Sequence, residues 1–352
     1  MRHVLLRFAI CWLALTALAG CRHKEPHMKE VENVPATIKA QLAFTCAHEK
    51  DRIPPRDREA ELLYKHARWL VKGNTLQPKD EVYLRIERLV RIATAHGHDK
   101  ANIELQRMLT SAQAVSVARR QEVIDLTEEL ITRGIPSGYY SMGWYVERGY
   151  GVKQDAELAL KYYRKSADLG SPEGQFHVGT LLNDMSKHGK EIAAIGLAMW
   201  RCAADQGHAE AANSFGLNER IDGRPSEAAK YFQMAAAAGN DLGAFRLSNA
   251  FSPRTAQFPE TFLGFAIDAE RERRYEAISK FLHGYDYIHA RVPEIDRIVP
   301  LPPAPLPEWD GTFEWLKAHE ANIPPPLPGE ERIAEMARAK GLDPRTGRAV
   351  VK

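Results

Sequence analysis

Five glycines frame this chain: Gly97, Gly134, Gly170, Gly207 and Gly239, separated by 37, 36, 37 and 32 residues. Four positions after each comes a small residue (Ala101, Gly138, Gly174, Ala211, Gly243). Eight after each comes an apolar one (Leu105, Met142, Val178, Phe215, Leu247). A period of this length reads as a stack of supersecondary units. The spacing predicts two helices per unit. In one unit the first runs from Ala156 to Asp168, capped by Asp155 and ended by Gly170 in the left-handed C′ position. The second runs from about Pro172 to Leu182. The small residue at its start lets it cross the first helix closely, and the apolar residue lies one turn further along the same face. No single pair buries its apolar stripe, so neighbours must stack into a solenoid.

The chain begins with Arg2 and Arg7, an apolar run from Phe8 to Leu18, then Ala19-Gly20-Cys21. Charged, apolar and small-residue regions in that order predict a secretion signal over residues 1–20. Its roughly thirteen apolar residues fall short of the ~20 that a spanning helix needs. Leu18-Ala19-Gly20-Cys21 resembles the bacterial lipobox, which implies cleavage before Cys21 and acylation of its thiol. Several acyl chains make a lasting anchor. Arg22 is not the acidic residue of inner-membrane retention, which under that family rule favours the periplasmic face of the outer membrane.

Removing Arg2 and Arg7 brings the 48 Lys and Arg level with the 46 Asp and Glu, so no global basic field attracts nucleic acid. Cys11 leaves with the signal. Cys46 and Cys202 are left either to pair in an oxidising compartment or to stand as two buried thiols.

Residues 21–50 read as a lipidated tether leading into a first helix near Val34–Cys46. Residues 51–251 read as the solenoid and 252–352 as a partly helical, Pro-rich extension. In the extension a charged helix is predicted over Ile267–Leu282. Ile298–Pro307 should be extended, because each proline fixes φ and lacks a donor. Trp309 and Trp315 should flank a short helical stretch, and a last helix should cover Glu330–Lys340. The Pro-rich run is read as a strap across the end of the solenoid with its tryptophans as anchors. A ligand for an aromatic groove is the alternative.

Three stretches carry a family resemblance: Gly138-Tyr139-Tyr140-Ser141-Met142-Gly143-Trp144-Tyr145 with Gly149-Tyr150-Gly151-Val152-Lys153-Gln154-Asp155 and Ala159–Gly170; Leu197–Gly207; and Lys230–Gly239. They resemble Sel1-like repeats, relatives of the tetratricopeptide repeat, over roughly residues 80–250, with the best copies in 138–251. The resemblance implies an all-α fold, a right-handed superhelical solenoid of Sel1-like helix pairs.

No catalytic constellation is present: no Gly-x-Ser-x-Gly elbow, no His-Glu-x-x-His, no phosphate loop. Neither His98-Asp99-Lys100 nor His188-Gly189-Lys190 has the aspartate that phospholipase D-type sites place five residues after the lysine. His96-Gly97-His98-Asp99 offers metal-type ligands but falls at a helix terminus, where histidine is at home. No enzyme activity, cofactor or metal is therefore expected. A helical stack instead offers a protein-binding concave surface, lined by the first helices. Tyr139, Glu147, Arg148, Tyr150, Lys161, Tyr162 and Arg164 are the expected contacts, since aromatics and arginine dominate interfaces; inter-repeat packing and a solvated face are the bland alternatives.

The lipobox, the repeats and the closing Ile298–Gly311 segment together resemble proteobacterial Sel1-like lipoproteins that act as immunity proteins to type VI secretion phospholipase effectors. That resemblance implies a periplasmic, acyl-anchored inhibitor whose partner is a lipase-class effector. A scaffold or regulator of another envelope process is the competing reading.

Overall fold

The computed structural model describes residues 43–185, 189–258 and 262–350. Cys21, the signal region and residues 22–42 lie outside the described residues. So does most of the helix expected near Val34–Cys46, and its last four residues, 43–46, are not helical. Among the described residues there are fifteen α-helices.

A leading helix, α1 (Arg58–Gly73), is followed by five pairs: α2 (Asp80–Ala95) with α3 (Asp99–Thr110), α4 (Arg119–Thr132) with α5 (Pro136–Arg148), α6 (Ala156–Leu169) with α7 (Pro172–Asp184), α8 (Lys190–Asp205) with α9 (Ala209–Ile221), and α10 (Pro225–Ala238) with α11 (Asp241–Phe251). Then come α12 (Ala269–Gly284), the single turn α13 (Ile295–Ile298), α14 (Glu314–Ala321) and α15 (Glu330–Ala339). Each helix packs on the next from α1 to α12, which makes an all-α solenoid.

The repeat positions act as the spacing predicts. Asp155 accepts from the Leu158 amide to start α6, and Gly170 ends it at φ 106°. His98, Ser171, His208 and Asn240 follow their unit glycines and cap the second helices with side-chain acceptors. The small residue lies against the preceding helix: a Cβ on Gly174 would stand 2.7 Å from the Ser166 hydroxyl oxygen, and one on Gly243 2.7 Å from the Phe232 carbonyl.

A second small residue, nine after the unit glycine, was not foreseen. Gly143, Gly179 and Gly216 receive the rings of Tyr163, Trp200 and Phe232 from the next pair, with virtual Cβ distances of 2.7–2.8 Å. These aromatics stand seven residues before the next unit glycine. The signal was therefore periodic, but it joined neighbouring units rather than lying within one.

Two non-repeat segments stitch the stack. Residues 43–56 run along the turns between paired helices. The Arg164 Nη2 donates to the Ala43 carbonyl at 2.6 Å, Gln175 to Ala47 at 2.9 Å, and the Ser137 amide to Glu49 at 3.1 Å. Arg56 pairs with Asp99. Cys46 and Cys202 are joined by a disulfide, with their Cα atoms 5.7 Å apart.

At the other end, residues 285–350 go further than a strap across the last unit. α14 sets Trp315 edge-on against Phe281 and Tyr285 beside α12, and Lys72 of α1 sits over the same indole at 5.6 Å. The chain then crosses α1, where Trp69 donates to Asn322 and His66 to the Pro325 carbonyl. Finally α15 buries Ile333, Met336 and Ala337 in the core of the first pairs. The tail thus ties the last solenoid helix to the first.

Two details differ from expectation. Trp315 lies inside α14 rather than beside it, because Phe313 and Trp315 both reach Phe281. The run Ile298–Pro307 is not extended throughout: Ile298 closes α13, and residues 302–304 turn.

Candidate protein-binding surface

The middle units place an aromatic and charged cluster across α5, α6 and α7. Tyr163 is its buried centre, 2 % exposed and seated on Gly143. Its hydroxyl donates to Glu147 at 3.0 Å. Burial, and then this bond, push the phenol well above its ordinary range. The His177 ring lies 4.1 Å from Tyr163, and burial holds its pKa down. Tyr140 covers both rings at 5.4 and 6.2 Å. Outside them Arg148 lies over the Trp144 indole at 4.2 Å and bonds Glu147 at 2.5 Å. The outer rim of this cluster faces solvent.

The expected contact residues separate on this frame. Glu147 and Arg148 are brought together in the cluster. Tyr139 is half-buried, its hydroxyl 3.5 Å from the Ile131 carbonyl. Tyr150 packs on Tyr145 with Arg120 over its face. Tyr162 packs half-buried against the main core. Lys161 is exposed and pairs with Glu157. Arg164 holds Asp168 and the 43–56 segment. Each of the three tyrosines therefore packs on part of its area against neighbouring helices. Trp144 and Tyr163, at repeat positions, and His177 complete the cluster without standing out as contacts in the sequence.

Elsewhere the polar clusters have structural partners. His98 is fully buried, accepts from the Ala101 amide and faces Glu61 at 2.8 Å. His96 lies 3.1 Å from the Met336 carbonyl. Cys46, His48 and Cys202 lie within 4.8 Å of one another, but the two sulfurs are spent on each other. Under the 43–56 segment, burial and the neighbouring Glu173 raise the Glu49 carboxyl to about 7.

Residues 136–171, 172–208 and 215–240 match the Sel1 repeat, and residues 243–350 match a domain of unknown function, DUF6396. No curated protein matches the chain. Among solved structures, the chain is similar to the immunity protein Pa5087 from Pseudomonas aeruginosa, at 31% identity and a TM-score of 0.56, over 75% of this chain and 96% of that one. The chain belongs to the Pa5087 family. Pseudomonas aeruginosa PA5086 is 30% identical, with a TM-score of 0.55, over 74% of this chain and 96% of that one. The immunity protein PA5088 of the same organism is 28% identical, with a TM-score of 0.56, over 74% and 95%. In this member of the Pa5087 family the Sel1 matches end at residue 240 and the DUF6396 match begins at residue 243, so the tail that ties α12 to α1 belongs to the DUF6396 match.

Proposed function

We propose that this chain is an immunity protein, a periplasmic lipoprotein that binds and neutralises a type VI secretion phospholipase effector. The observation that carries the reading is its 31% identity across nearly the whole of Pa5087, a protein named as an immunity protein. The Sel1 repeats support a protein partner. The lipobox at Leu18–Cys21 supports the envelope location, with acyl chains at Cys21 holding the solenoid on the periplasmic face of the outer membrane. The solenoid grips the incoming lipase and blocks its active site or its access to membrane phospholipid. Inhibition is stoichiometric, needs no chemistry from this chain, and uses no cofactor.

The test mixes purified residues 22–352 with type VI phospholipase effectors and measures lipid hydrolysis. A matched effector should lose its activity near one equivalent. Effectors that all stay fully active in excess lipoprotein overturn the immunity reading. Cys21→Ala in cells tests the anchor separately: it should leave the fold intact and release the protein from membranes.

A further inference from the structure

The unit that holds Tyr163 carries a pair that the repeat does not call for. Trp144 and Arg148 stand ten and fourteen residues after Gly134. The other units have Arg107 and Ser111, Thr180 and Asp184, Leu217 and Ile221, or Asn249 and Pro253 at those places. Helix pairing therefore requires neither an indole nor a guanidinium there. Trp144 is 37% exposed, and the Arg148 side chain is 48% exposed. They are one turn apart on α5, at the end of the helix opposite Ser137, which meets the 43–56 segment.

Arg148 is held in place rather than left to wander. Its plane rests on the indole at 4.2 Å, and its Nη1 is fixed by Glu147. Glu147 is in turn fixed by the hydroxyl of the buried Tyr163. A guanidinium has five N–H donors in a rigid fork, and these partners use only part of them. Its open edge suits a carboxylate, which it can bind in bidentate fashion. The ordering entropy that an arginine normally loses on binding has already been spent in folding.

We propose that Arg148, stacked on Trp144, is the main contact of this chain with its protein partner, and that it receives an Asp or Glu side chain of that partner. The inference rests on the immunity reading and sharpens it to one surface. Arg148 stands at the end of α5 remote from Ser137, which meets the 43–56 segment. Tyr140 and His177 extend the apolar platform around the ion pair.

The experiment measures binding of a purified type VI phospholipase effector that the wild-type protein inhibits, by calorimetry at two salt concentrations. R148A and W144A should each weaken binding about 30-fold, in the range of interface hot spots. R148K keeps the charge without the fork and should lose about tenfold. K280A, an exposed residue of the distant α12 paired with Glu276, should change it less than twofold. Thermal unfolding of each variant guards against a folding defect, and R148K serves as the second variant if R148A is unstable. R148A and R148K binding within twofold of wild type overturns this inference and leaves the immunity reading standing. Absence of any effector bound by wild type overturns both.

Discussion

Residues 43–56 and residues 289–325 both run beside the solenoid, yet different chemistry holds them. The first segment carries normal backbone donors and acceptors, and it is held by scattered bonds from Arg164, Gln175 and Ser137 and by one covalent link, Cys46–Cys202. The second is rich in proline, so it presents carbonyls with few amides to match. Arginine, a pure donor, is its complement. Arg274 donates to the carbonyls of Ile298 and Pro307 at 2.6 and 2.8 Å, and Arg271 to those of Pro300 and Ala304 at 3.3 and 2.5 Å. Tyr275 and Gln233 both donate to Val299. The charged run at the start of α12, solvent-facing in many helices, is here an acceptor-matching clamp.

Removing the covalent link should have the largest effect. The disulfide spans 156 residues of sequence, and chain-entropy arguments give loops of that order about 5 kcal/mol. Cys46→Ser with Cys202→Ser should lower urea-unfolding stability by that amount, with early hydrogen exchange along residues 43–56. An unchanged midpoint would mean that the first segment is held by its hydrogen bonds alone. Next comes Arg274→Ala, which strands two carbonyls and should cost about 3 kcal/mol. Its exchange signature should be confined to residues 295–310, so if residues 43–56 also loosen, the two segments are coupled.

Glycine substitutions separate coverage from backbone strain. A Cβ on Gly170 would lie 2.6 Å from the His48 carbonyl carbon, and one on Gly239 2.6 Å from the Ala290 carbonyl oxygen. Gly207, at φ 87°, meets nothing within 4 Å. Gly207→Ala should cost about 1 kcal/mol from its positive φ alone. Gly170→Ala and Gly239→Ala should each cost about 2–3 kcal/mol, because a covering segment must also shift. Equal costs at all three would remove the idea that the turns are sealed.

An effect of similar size to the glycine substitutions is set by pH. Glu49 is raised to about 7 in the folded protein from an ordinary 4.5. The folded state therefore holds its proton more tightly than the unfolded chain. Stability is greatest below the unfolded value, declines as pH rises towards about 7, and levels off above it. Glu49→Gln should flatten that decline and stabilise the protein at pH 8 by about 2 kcal/mol. No equivalent slope is expected from the clamp, whose arginines stay charged throughout.

The helix pairs were readable because their determinants are local: a cap, a glycine and an apolar residue within one unit. α6 ends within a residue of its expected limit, and α15 also matches closely. The course of the tail was not readable. Asn322 and Pro325 reach α1 across some 250 residues, through bonds that no nearby pattern announces. The candidate surface was half legible. Arg148 and Glu147 stand out as residue types, whereas the packing of Tyr150 on Tyr145, of Tyr162 on the core and the bond of Arg164 to Ala43 rest on neighbours that no local pattern announces.

The contact of α14 and α15 with α1 and α2 changes the mechanics of the stack. A helical array with two loose ends behaves as a spring, and its curvature fluctuates because each unit touches only its neighbours. Joining the ends makes it a hoop. Flexing it then requires separating Trp69 from Asn322, Arg88 from Glu330, or Arg348 from Glu87. Whatever docks on such a hoop meets a curvature held by those bonds rather than one it can bend freely.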